Sequence, residues 1–143
     1  MAKIRVSTVI HAPRRRVWAD VADIASHAEW MADAESIRFR GPRTAGVGAE
    51  FDCRTRVGPF RLNDRMEVTE WRPGRAMGIR HVGVVTGEGR FTLRRARRGR
   101  TRFTWQERLE FPLWMGGRLG AQVGALVLAR IWRRNLGNLA RRF

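Results

Sequence analysis

The sequence holds a single cysteine, Cys53, so no intrachain disulfide can form and a disulfide-built secreted scaffold is excluded. Long apolar runs are missing too. The longest uncharged apolar stretch, 123–129, has seven residues, against roughly 20 for a bilayer-spanning helix. Lys3 and Arg5 open the chain, but Ser7, Thr8 and His11 interrupt the apolar stretch behind them. No signal peptide is legible, and a cytoplasmic location is the expectation. Serine is scarce, and none of Ser7, Ser26 and Ser36 sits in a Gly-Xaa-Ser-Xaa-Gly elbow. The three histidines, His11, His27 and His81, lack metal-ligand spacing. Gly87-Glu88-Gly89 lacks the third glycine of a dinucleotide fingerprint and precedes a strand pattern rather than a helix. Neither a metal nor a cofactor is expected.

Acidic residues are few, 13 against 29 basic ones, for a net charge of +16, and Lys3 is the sole lysine. Such an excess reads either as a footprint for nucleic acid or an anionic membrane, or as drift towards arginine in a GC-rich coding sequence. The near absence of lysine favours drift, because attraction to a polyanion does not by itself select against lysine. The arginines form two groups, Arg94, Arg95, Arg97, Arg98, Arg100 and Arg102 around one turn, and Arg130, Arg133, Arg134, Arg141 and Arg142 near the C-terminus. A nucleic-acid surface would interleave aromatics with these arginines. The aromatics fall on inward faces instead, so a specific nucleic-acid partner is not expected. An anionic membrane surface stays open as a partner.

What is present is a chain of 143 residues, 43% hydrophobic, enough for one domain with its own core. Ile4, Val6, Thr8 and Ile10 alternate with Lys3, Arg5, Ser7 and His11, which is a half-buried strand. Pro13 opens a helix over 14–22, and Asp23 is placed to cap a second short helix, 24–31, through its side chain. From Ala34 the period becomes two. Strands are predicted over 35–41, 48–57, 60–72, 75–83, 88–97 and 100–111, separated by short Gly- and Pro-containing turns that imply an antiparallel meander. Residues 114–141 read as one long helix. Ala121, Ala125, Leu128, Trp132, Leu136, Leu139 and Phe143 line one side, and the late arginines line the other. Over 119–127 that helix is apolar nearly all round, which fits a dimer contact, a cavity lid or a membrane-facing patch. Gly116, Gly120 and Gly124 recur every four residues there and permit close backbone approach.

This order of elements resembles the helix-grip, START-like superfamily (SRPBCC), in particular its bacterial polyketide cyclase/dehydrase and lipid-transport branch. The matching pieces are Ile10-His11-Ala12-Pro13 with Val17-Trp18, then Asp23, Trp30 and Gly46-Val47-Gly48. Thr69-Glu70-Trp71-Arg72-Pro73, the Gly99-Arg100-Thr101 hairpin and Asn135-Leu136 with Leu139 complete them. The resemblance spans essentially the whole chain and implies an α+β, Bet v 1-like fold. A curved seven-stranded antiparallel sheet would wrap a long C-terminal helix, with two short helices between strands 1 and 2. It also implies a hydrophobic cavity between sheet and helix, but no single reaction, since members include enzymes, carriers and receptors.

Strand alternation assigns the cavity wall: Phe51, Cys53 and Thr55 from one strand, Leu62, Asp64 and Met66 from the next, Met77, Ile79 and His81, then Phe91, then Trp105 and Glu107. Trp30 is expected at the mouth, and Trp30, Trp71 and Trp105 are candidate stacking platforms for a ring-shaped ligand, whereas Trp18 and Trp132 read as core. Asp64, His81 and Glu107 break otherwise apolar faces. A buried carboxylate must be paired, hydrogen-bonded or neutralised. The three are either a satisfied buried cluster or acid–base groups of a cavity, suited to proton abstraction beside a carbonyl and loss of water. Cys53 reads as a small buried hydrophobe. The leading expectation is a binder of a small hydrophobic lipid, aromatic or polyketide-like molecule. A cyclase/dehydratase-like enzyme using Asp64, His81 and Glu107 is the alternative, and a basic module for RNA or anionic membrane is a further one.

Overall fold

The computed structural model describes residues 1–143. Strand β1 (Ala2–Ile10) buries Ile4, Val6 and Ile10 and exposes Lys3, Arg5 and Ser7, as the alternation requires. The Ala12-Pro13 step stops it. Helix α1 (Arg14–Val21) follows, its first free backbone amides bonded to the Pro13 carbonyl and its Val17 and Val21 fully buried. The second helical stretch is less regular than expected: a 3₁₀ turn over Ile24–Ser26 runs into α2 (His27–Trp30). Asp23 does not cap it with its carboxylate. Its backbone carbonyl instead accepts the Ser26 hydroxyl and the Ser26 amide, which tightens the turn to 3₁₀.

Six strands then meander: β2 (Ala34–Phe39), β3 (Glu50–Val57), β4 (Phe60–Arg72), β5 (Ala76–Val82), β6 (Thr86–Arg95) and β7 (Thr101–Glu110). Their ends differ by a few residues from the alternation pattern; β6, for example, starts two residues early because Thr86 and Gly87 pair with both β5 and β7. All neighbours are antiparallel, in the order β1-β7-β6-β5-β4-β3-β2, so the first strand returns to pair with the last. A bulge in β4 between Val68 and Glu70 shifts the face of everything after it. Glu70 turns outward to Arg90, while Trp71 packs edge-on against Trp18 of α1, 5.2 Å between ring centres.

The chain leaves β7 through Pro112 and a 3₁₀ turn, Leu113–Met115, and enters α3 (Gly117–Ala140) after a left-handed Gly116. The close approach anticipated from the glycine repeat is real at Gly120. A β-carbon there would lie 2.0 Å from the Met115 carbonyl oxygen, so only glycine lets the turn fold back on the helix. Along the second half of α3, Leu128, Trp132, Leu136 and Leu139 are buried against the sheet. The first half is not drawn down equally, and a hollow separates it from the strands.

Candidate functional site

The hollow is a cavity of about 520 Å³ between the concave face of the sheet and α3. Its wall is largely apolar and is built from the sequence-predicted positions Phe51, Cys53, Thr55, Leu62, Asp64, Met66, Met77, Ile79, His81, Phe91, Trp105 and Glu107. These reach one wall because their side chains leave the same side of consecutive antiparallel strands in register: Cys53 faces Asp64, Met66 faces His81, Ile79 faces Gly89, and Gly89 faces Glu107. Phe60, Val84, Val123 and Val127 both line the cavity and stand exposed to solvent, so they mark its mouth.

Two predictions about tryptophan are corrected. Trp30 is not part of the lining: it is buried behind the wall against His27, Phe91 and Trp105, because α2 is one turn long and tucks it under the sheet. Trp71, a candidate stacking platform, also lies outside the lining, packed with Trp18. Trp132 is buried in the core as expected, and it lines the cavity as well, stacking on Trp105 with ring centres 4.3 Å apart and planes 13° from parallel.

The polar centre of the wall is a chain of three groups. His81 Nδ1 lies 3.0 and 2.9 Å from the two oxygens of Asp64, and His81 Nε2 lies 2.8 Å from Glu107 Oε1. His81 and Glu107 are each 6% exposed, whereas the Asp64 side chain is 15% exposed. Burial pushes the imidazole pKa down, but the Glu107 charge and the hydrogen bonds to both carboxylates outweigh it and hold His81 up at about 10. At neutral pH the ring is therefore an imidazolium donating through both nitrogens. Burial raises the Glu107 carboxyl, and His81 opposes that rise only in part. Neither ring nitrogen is left for a ligand. The groups presented to the cavity are carboxyl oxygens.

Cys53, directly across from Asp64, is pushed up to about 12 by burial, so it stays a thiol and behaves as a small apolar side chain.

Among the lining residues that escaped the sequence reading, two are buried and polar. His27 donates from Nε2 to the Val21 carbonyl at 2.7 Å, and burial brings its pKa down to about 4, so it faces the cavity as a neutral ring. Asp33 accepts Trp132 Nε1–H at 3.0 Å and Asn135 Nδ2–H at 2.8 Å, while Asn135 Oδ1 accepts the Ala32 amide at 2.9 Å. This network ties the segment before β2 to α3. Both residues lie where no period of two operates, so alternation had no purchase on them.

The model of the family "Polyketide cyclase / dehydrase and lipid transport" matches residues 1–143. The chain belongs to this polyketide cyclase/dehydrase and lipid-transport family. No curated protein matches it. Among solved structures, a Thermus thermophilus protein superposes with a TM-score of 0.83 at 17% identity, over 98% of this chain and 95% of that one. The Zhui aromatase/cyclase of Streptomyces sp. R1128 gives 0.81 at 13% identity, over 98% and 92%. A START superfamily protein of Mycobacterium smegmatis gives 0.81 at 10% identity, over 99% and 97%. At these identities the superpositions show a shared helix-grip fold. No helix of this family member is long and apolar enough to cross a membrane.

Proposed function

We propose that the chain binds a small, mostly hydrophobic molecule, ring-containing or acyl, between sheet and α3, and that a polar group of this ligand meets the Asp64–His81–Glu107 cluster. The observation that carries the reading is the cavity itself, about 520 Å³ of largely apolar wall that carries the Asp64–His81–Glu107 cluster. Apolar lining supplies affinity, and a few placed polar groups set orientation. Since both imidazole nitrogens are engaged, the ligand group best matched is a donor, a hydroxyl or an enol, aimed at a carboxyl oxygen. Native mass spectrometry and dye displacement across fatty acids, lipids and aromatic polyketides test it. Saturable binding lost in Ile79→Trp, which fills the cavity, is the expected result. Absence of binding across all three classes rejects the reading.

A second reading, a cyclase/dehydratase-like enzyme, is supported by the same cluster. A carboxylate oxygen would take a proton from the carbon beside a ligand carbonyl, the electron pair of the broken C–H bond would pass to the carbonyl oxygen as an enolate, and the positive charge of the nearby imidazolium would favour that enolate through space. The base is then a carboxylate rather than the histidine. Asp64→Asn and His81→Ala should abolish turnover of a poly-β-ketone while leaving the circular dichroism spectrum intact, and unchanged rates would remove both residues from any mechanism.

A further inference from the structure

The first half of α3 presents an apolar stripe to solvent rather than to the sheet. Leu119 is 71% exposed and Leu126 75%, and Trp114, in the turn leading into the helix, is 67% exposed. The same helical face continues as Arg130, Arg133 and Arg134, none of which pairs with a carboxylate. From Phe111 to Phe143 the sequence has no Asp or Glu at all. Val123 and Val127 join this stripe to the mouth of the cavity.

We propose that this face docks on an anionic lipid bilayer, with Trp114, Leu119 and Leu126 entering the headgroup–acyl boundary and the arginines meeting lipid phosphates. Isolated exposed apolar residues need no partner, but a contiguous patch bordered by unpaired charge of one sign does. Charge decides which partner. A second copy would bring +16 against +16, and a facing α3 would offer the arginines no carboxylate. An aliphatic stripe with a single ring provides poor stacking for bases. A helix with an apolar stripe and arginines on the same exposed face fits an anionic interface, where burial and attraction to headgroups act together. The docking stands on α3 and the turn leading into it and does not depend on the cavity being occupied. The cavity mouth would then lie against the bilayer.

Flotation of the full chain with phosphatidylcholine vesicles, with or without phosphatidylglycerol, tests this. Binding to the anionic vesicles that falls steeply with salt is expected. Arg130→Gln, Arg133→Gln and Arg134→Gln together should weaken it on the order of a hundredfold, at about fivefold per arginine. Leu119→Gln with Leu126→Gln should lose partitioning while keeping the melting temperature and dye binding of the parent. No binding to anionic vesicles at low salt overturns the proposal, as does undiminished binding by the leucine variant. A parent dimer by light scattering that this variant makes monomeric also overturns it, since a second copy would then cover the face.

Discussion

Gly89 is the space in which the Glu107 carboxylate lies. The two residues face each other across β6 and β7, and a β-carbon at 89 would fall 2.2 Å from Glu107 Oε1. The missing side chain is what lets Glu107 lie across β6 and reach His81 on β5. Gly89→Ala should therefore displace the carboxylate, leave part of a buried charge cluster uncompensated and cost about 2–4 kcal/mol. Denaturant melts measure the loss. A variant as stable as the parent would mean that Glu107 has another low-energy position.

His81 should remain protonated through neutral pH and titrate near 10 by NMR of the ring. Its folded pKa lies above the unfolded value of 6.5, so the folded state holds the extra proton between them. The stability this contributes is present below 6.5 and is lost as pH rises towards 10. Removing a flanking charge with Glu107→Gln or Asp64→Asn should lower the titration. A ring that titrates at its ordinary value in the parent would contradict the bridged geometry.

His27 acts on the acid side. Its folded pKa is depressed from 6.5 to about 4, so the unfolded chain takes up the proton first and stability falls as pH drops through this window. The loss from this one group amounts to roughly 3 kcal/mol when complete. His27→Gln should flatten the acid limb of a stability–pH curve measured between pH 7 and pH 4. A curve of unchanged slope would assign the acid sensitivity elsewhere.

Asn135 bridges the Ala32 amide and the Asp33 carboxylate from the fully buried face of α3. Asn135→Ala leaves a buried carboxylate with one donor fewer and an orphaned amide, which should cost about 2–3 kcal/mol. Hydrogen exchange should show the amide of Ala32 losing protection before those of the sheet. Loss of protection confined to α3 itself would argue against a bridging role.

Residue type and spacing alone determined the seven strands, the long amphipathic helix and most of the cavity wall, because a sheet with one buried face imposes a period of two on everything that faces inward. All twelve wall residues expected from that period line the cavity. Trp30 does not, and His27 and Asp33 were invisible, because one-turn helices and loops carry no period. Tertiary structure alone decided the rest. It stacked Trp132 on Trp105, brought Asp64, His81 and Glu107 from three strands within hydrogen-bond distance, and left the first half of α3 standing off the sheet. Each of these depends on distances between elements far apart in the chain, and such distances are set only when the strands curve and the helix comes to rest on them.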